Sequence, residues 1–200
     1  MITRLDADPR LARLSLTLAV TRDCNLRCSY CYAGRKVART MPESIGRGAI
    51  ERALASLLPG GELELGFFGG EPLLEAKLVR ALLRYARARS EEEGVRASAG
   101  LTTNGTVTGP EAWKVMTDPG LALAVSLDGV PEAHDLHRRD ARGRGTSERV
   151  AATLRRLRAA GKEFRTAMVI RPEALDELQA RRHGLATVVV IGDDEHLIDL

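Results

Sequence analysis

"LSLTLAVTRDCNLRCSYCYAG", residues 14–34, joins a short apolar run with polar punctuation to a loop bearing Cys24, Cys28 and Cys31. The run from Leu14 to Val20 suits a β-strand, because apolar residues at alternate positions cover one face of a pleated sheet. The three thiols are the only cysteines among 200 residues, and they fall within eight consecutive positions. Three thiols neither pair off nor close a four-thiolate metal cage. What they do depends on what the rest of the chain brings beside them.

Outward from this loop the hydrophobic period alternates. Thr40 and Glu43, with Pro42 between them, form a capping-box pattern. Ile45, Ile50, Leu54, Leu57 and Leu58 then recur near one helical face until "PGG" at 59–61 stops the helix. "ELELGFF" (62–68) reads as a second strand, and residues 73–93 as a helix with Leu74, Leu78, Leu82 and Tyr85 inward and Gly94 at its end. "ASAGLTT" (97–103) is a third strand, 110–117 a short helix, and "LALAVSL" (121–127) a fourth strand. Residues 146–160 read as a helix with Val150, Leu154 and Leu157 inward, and "FRTAMVI" (164–170) as a fifth strand. A short helix at 173–183 and a sixth strand, "ATVVVI" (186–191), complete the series. Strands alternating with helices predict an α/β fold with a parallel sheet, either open and doubly wound or an arc of barrel. Right-handed crossovers put every strand's carboxyl end on one rim. One domain is expected over residues 1–200, and "HRRDARGRGTS" (137–147) reads as a mobile surface strip.

An apolar content of 44% with 28% charged residues places the chain in the soluble globular class. The net charge is +3, but 27 acidic residues balance 30 basic ones, and three Phe, three Tyr and one Trp offer little for base stacking, so no nucleic-acid partner is expected. The start, "MITRLDADPRLARL", has charges where a secretory peptide needs an apolar stretch. No apolar run approaches the ~20 residues that span a bilayer, so the expectation is a cytoplasmic protein without a membrane partner. In that reducing compartment a thiol cluster points to metal binding or catalysis rather than to disulfides.

Position is the strongest regularity. The cysteine loop follows strand one, "GGEP" (69–72) follows strand two, "TNGT" (103–106) follows strand three, and "SLDG" (126–129) ends strand four. Each alone is a turn; together they mark one site on the rim where such folds place function. A cubane of four irons needs a ligand at each iron, so three thiolates hold three and leave the fourth open. Three other readings stand beside this one. A zinc site would draw a distant fourth ligand, His134 being the nearest histidine after the cluster. "CSYC" imitates a dithiol redox pair, with Cys24 as an extra. Inert buried thiols are the third. His134 and His137 read as surface or loop-anchoring residues, and Phe67, Phe68 and Trp113 as packing residues.

Cys24, Cys28 and Cys31, with Tyr30 preceding the third, resemble the signature of the radical SAM superfamily. The resemblance implies a partial (β/α)6 barrel and a 4Fe-4S cluster on the three cysteines. It also implies S-adenosylmethionine (SAM) chelating the open iron through its amino and carboxylate groups. A reducing electron donor would drive cleavage to a 5′-deoxyadenosyl radical that abstracts hydrogen. Gly69, Gly70, Glu71 and Pro72 resemble the family's GGEP segment, whose bare backbone approaches the methionyl ammonium. Ser126 resembles a position that hydrogen-bonds SAM, and Asn104 would line the same cavity. "TTNGT", "SLDGVPEAHDLHR" and "GRGTSERV" are similar to the branch of anaerobic sulfatase-maturating enzymes and peptide-modifying maturases. That implies a peptide or protein substrate, with Arg138 as partner for an anionic group. No catalytic acid or base is assigned.

The match runs over residues 14–172 and then departs. That branch continues into a cysteine-rich extension, and this chain has no further cysteine for auxiliary clusters. Residues 173–200 are the least family-like, consistent with a compact core, a truncated copy, or a non-catalytic cluster-binding subunit. The exposed last strand of an open arc favours a partner chain.

Overall fold

Alternation along β1 (Leu11–Thr21) buries Leu18 and Val20 while Ser15, Thr17 and Ala19 turn to the opposite, exposed face. In the computed structural model, which describes residues 10–34, 36–170 and 187–190, β1 pairs in parallel with β2 (Leu57–Gly69), Leu18 beside Phe67. The sheet continues through β3 (Arg96–Thr103), β4 (Leu121–Ser126), β5 (Arg165–Ile170) and β6 (Thr187–Val190) in sequence order, each neighbour parallel to the last. Between strands run α1 (Glu43–Ala55), α2 (Ala76–Glu92), α3 (Pro110–Met116), α4 (Pro131–His137) and α5 (Ser147–Ala159). This is the α/β alternation the sequence predicts, with all described carboxyl ends on one rim.

The core lies between one sheet face and the helices. Leu63, Leu65 and Phe67 of β2, Leu101 of β3 and Leu123 and Val125 of β4 meet Ile50 and Leu54 of α1, Val79 and Leu82 of α2, and Val150 and Leu157 of α5. Burying each such side chain contributes roughly 1.5–3 kcal/mol before chain entropy is subtracted. Helices α1 and α2 touch through Gly46, where a Cβ would lie 2.6 Å from Leu82 Cδ1. The opposite sheet face carries small residues, among them Thr17, which is exposed, and Gly66, Gly100 and Ala124, which are half-buried.

Several local expectations are corrected. Helix α1 ends at Ala55, and "PGG" lies within the first, irregular part of β2 rather than stopping the helix. The capping box does not form: Pro42 is the N-cap without a side-chain bond, and the Thr40 hydroxyl donates to Glu75 Oε1 at 2.6 Å. The predicted 73–93 helix is a short 3-10 turn, Pro72–Glu75, followed by α2. Leu74 lies in that turn and is exposed, whereas Leu82 is buried with Val79, Leu83 and Ala86, and Leu78 and Tyr85 pack against the core as expected. Ile45 is exposed too. Helix α4 was absent from the sequence reading, and the predicted 173–183 helix lies outside the described residues.

Candidate functional site

The cysteine loop is fixed at its entry by its own polar residues. The Asp23 N–H donates to Thr21 Oγ1 at 3.1 Å, and Asp23 Oδ1 accepts the Cys24 N–H at 2.8 Å. Its outer side is clamped by a segment far along the chain: Arg27 N donates to Arg139 O at 2.7 Å and Ser29 N to His137 O at 3.1 Å. The polar strip expected to be mobile is therefore ordered. Asp140 accepts from the Arg142 and Arg144 N–H groups and from Arg144 Nε, which together hold its carboxyl down at about 2. Asp135 accepts the N–H groups of Thr146 and Ser147 and the Ser147 hydroxyl, securing the start of α5.

The two glycines at the end of β2, Gly69 and Gly70, are required because this loop lies against them. Gly69 has φ +150°, and a Cβ there would meet Thr21 O at 2.3 Å; one on Gly70 would meet Asp23 O at 2.1 Å. Gly70 N and Glu71 N instead donate to Thr21 O and Asp23 O at 2.9 and 2.8 Å. Close approach of two backbones thus welds the second rim segment to the first. Glu71 is fully buried behind them. Its Oε1 accepts from Leu73 N at 3.0 Å and Thr103 Oγ1 at 2.8 Å, and its Oε2 accepts from Asn104 N at 2.7 Å. Burial pushes this carboxyl up, against the opposing pull of those three donors. The carboxylate points into protein rather than offering itself to a ligand.

Cys24, Cys28 and Cys31 open into one cavity of about 430 Å³, lined also by Tyr30, Gly69, Gly70, Glu71, Asn104, Ser126 and Arg138. The residues expected to hold the cluster and SAM are brought together there, while Pro72 and His134 do not line it. Asn104 Nδ2 lies 3.8 Å from Cys24 Sγ and 2.9 Å from Asn25 Oδ1, while Leu26 N donates to the same sulfur at 3.4 Å. Lys36 Nζ lies 2.6 Å from Cys31 Sγ. Burial pushes the Cys24 thiol up, opposed chiefly by Leu26 N–H; burial likewise raises Cys28, opposed chiefly by the Arg138 charge. For Cys24 and Cys28 these neighbours work against the burial that favours the neutral thiol, towards the thiolate that binds metal. Among the described residues no three His, Cys, Asp or Glu side chains are gathered closely enough to hold a single ion. Three thiols facing one cavity are the donor type that iron–sulfur clusters take.

Across the cavity, Tyr30 donates its hydroxyl to Asp128 Oδ2, and Arg138 Nε donates to the same oxygen at 2.8 Å. Burial and the Asp128 charge raise the tyrosine pKa far above its ordinary range even against Arg138, keeping the ring neutral. His134, wholly buried, is a loop anchor and not a surface residue. Sequence reasoning missed Asp128, Asn25 and Lys36. "SLDG" contained the first, but Asp before Gly reads as a turn former.

A parallel β/α sheet whose carboxyl rim gathers three thiols and a bare glycine edge around one cavity defines a partial barrel with a thiol-bearing rim. Residues 18–185 match the Radical SAM superfamily, and the chain belongs to it. It is 35% identical over 128 residues to the serine-type anaerobic sulfatase-maturating enzyme of Klebsiella aerogenes, covering 62% of this chain and 31% of that protein. Against the Fe-coproporphyrin III synthase of Methanosarcina barkeri it is 37% identical over 123 residues, 60% of this chain and 28% of the relative. The solved structure of native anSMEcpe with bound AdoMet and Cp18Cys peptide superposes with a TM-score of 0.72 at 23% identity, over 84% of this chain and 45% of that one. This likeness establishes the shared fold. The chain spans about a third of the length of the curated relatives it matches.

Proposed function

We propose that this chain is the core of a radical SAM enzyme acting on a peptide or protein side chain. Cys24, Cys28 and Cys31 would hold a 4Fe-4S cluster. SAM would lie against Gly69, Gly70, Tyr30, Asn104, Ser126 and Arg138, with Glu71 bracing the glycine edge from behind. The observation that carries this reading is that all these residues share one cavity. When bound, the cluster and SAM supply, on one-electron reduction, a 5′-deoxyadenosyl radical that takes a hydrogen atom from the substrate.

The chain's own residues bind, orient and exclude water. Leu26 N–H and Asn104 stabilise negative charge on Cys24, and Lys36 does so on Cys31. Arg138 offers a planar cation to a carboxylate. Phe68 stacks on Tyr32, with ring centroids 6.2 Å apart, and with Ala167 and Met168 forms an apolar wall that limits solvent. The peptide-substrate reading draws support from sulfatase-maturating relatives and from the neighbour solved with a peptide. An external low-potential donor supplies the electron. Three free thiols suit a reducing cytoplasm, and no helix among the described residues is long and apolar enough to cross a membrane. We place residues 1–200 in one core domain, whose terminal strands β1 and β6, unpaired on one side among the described residues, would suit a partner chain.

Anaerobic reconstitution tests the proposal. About four irons and four sulfides per chain are expected, with none in the Cys24, Cys28, Cys31 triple alanine variant. Dithionite and SAM should then yield 5′-deoxyadenosine. Zinc without acid-labile sulfide would overturn the cluster assignment. A cluster that leaves SAM intact would identify a non-catalytic cluster-binding subunit instead.

A further inference from the structure

Arg138 is held at both ends. Its backbone carbonyl accepts the Thr146 hydroxyl at 2.8 Å, and its Nε donates to Asp128 Oδ2 at 2.8 Å. The Thr146 oxygen in turn lies 3.0 Å from His134 Nε2, and His134 Nδ1 lies 3.3 Å from the Asp128 N–H. Because the Asp128 amide can only donate, His134 Nδ1 accepts and Nε2 carries the proton. Asp128, His134, Thr146 and Arg138 therefore close a hydrogen-bonded circuit, and the Arg138 N–H adds a bond to His134 O at 2.8 Å. Asp128 reaches outward as well: Oδ2 accepts the Tyr30 hydroxyl and Oδ1 the Val169 N–H at 3.1 Å.

The ion pair is deeply buried, with side chains 9% and 5% exposed for Arg138 and Asp128. A guanidinium has five N–H donors, and Nε uses one. Among the described residues the Nη groups of Arg138 make no hydrogen bond, although the residue lines the cavity. A buried cation with a free, flat, two-nitrogen edge is matched by a carboxylate.

We infer that Asp128 is the positioning residue of this site: it holds the guanidinium of Arg138 by Nε so that the Nη edge faces the cavity and receives the carboxylate of an amino-acid-bearing ligand. This rests on the cofactor reading above, in which SAM carries that carboxylate. Asp128 acts through Arg138 and touches no ligand itself. An amide at position 128 cannot reproduce the arrangement, since its NH2 would oppose either the Val169 N–H or the Tyr30 and Arg138 donors.

The test is calorimetric binding to the anaerobically reconstituted full chain. S-adenosylhomocysteine has the carboxylate, and methylthioadenosine lacks the amino-acid part. Asp128→Asn should weaken S-adenosylhomocysteine about 10- to 100-fold, the worth of a charge-assisted pair, and leave methylthioadenosine within about 3-fold. Arg138→Gln should show the same selective loss, and the double variant should bind as Arg138→Gln alone does. Equal loss for both ligands, or additive losses in the double variant, would overturn the inference. Should Asp128→Asn lose its native circular dichroism, Arg138→Gln decides: a selective loss supports the carboxylate-facing edge, and an unselective one overturns it. A wild-type chain that holds its cluster but binds neither nucleoside refutes the cofactor reading itself, and the inference with it.

Discussion

Replacing Glu71 with glutamine exchanges one carboxylate oxygen for an amino group where every neighbour is a donor. In one orientation the new NH2 confronts Asn104 N–H, 2.7 Å from the present Oε2. In the other it confronts Leu73 N–H and the Thr103 hydroxyl, whose oxygen already accepts Gly105 N–H at 3.1 Å. Either way at least one buried N–H loses its acceptor, at about 1–3 kcal/mol, and the surviving bonds lose their charge assistance. The sum is roughly 2–4 kcal/mol, which for a chain of this size lowers the melting temperature by about 5–15 °C. Glu71→Leu, which strands all three donors, should fall further. Thermal unfolding followed by circular dichroism measures both, and Thr103→Val combined with Glu71→Gln should cost less than the two separately. A melting temperature within about 2 °C of wild type, or Leu tolerated better than Gln, would refute the claim that this carboxylate ties β2 to β3.

Gly70→Ala drives a methyl group into Asp23 O and towards Cys24, so iron and sulfide bound per chain should fall by more than about half. Gly48→Ala, with nothing within 4 Å of the new Cβ, should leave both unchanged. Asn104→Ala removes a donor from Cys24 Sγ and should lower the cluster's reduction potential by about 40 mV, taking roughly 1 kcal/mol for the bond at 59 mV per 1.4 kcal/mol. A rise measured by redox titration would contradict the geometry. The Asp140 carboxyl, lowered from 3.8 to about 2, contributes stability that is present above its unfolded value and lost as pH falls through about 2. Its carboxyl carbon shift should titrate with a midpoint near the lower value, and a midpoint near 3.8 would mean that the 140–144 turn beside the clamp is not formed.

The strand–helix alternation and the rim segments were legible because period and turn chemistry are local. Cys24, Cys28, Cys31, Gly69, Gly70, Asn104 and Ser126 could be assigned to one cavity from their positions after successive strands. What escaped was set by partners distant in sequence. Of the expected inward stripe, Leu82 is buried and Leu78 and Tyr85 pack against the core, but Leu74 falls in the 3-10 turn Pro72–Glu75 and is exposed. Thr40 bonds Glu75 across the fold instead of capping its own helix. The glycines of "GGEP" were read for what they would let a ligand reach, whereas Thr21 and Asp23 already require them. Helix α4 has seven residues, too few to repeat an apolar stripe. The order of 137–147 comes from bonds to the cysteine loop that composition does not reveal.

The clamp on the cysteine loop also dictates a timetable. Ser29 and His137, which bond across 108 positions of sequence, emerge from a ribosome far apart in time. At ~5–20 residues per second, the three thiols spend at least several seconds on the nascent chain before their outer brace exists. Any machinery that delivers iron and sulfide during synthesis would meet a floppy acceptor, and delivery after release would meet a finished one.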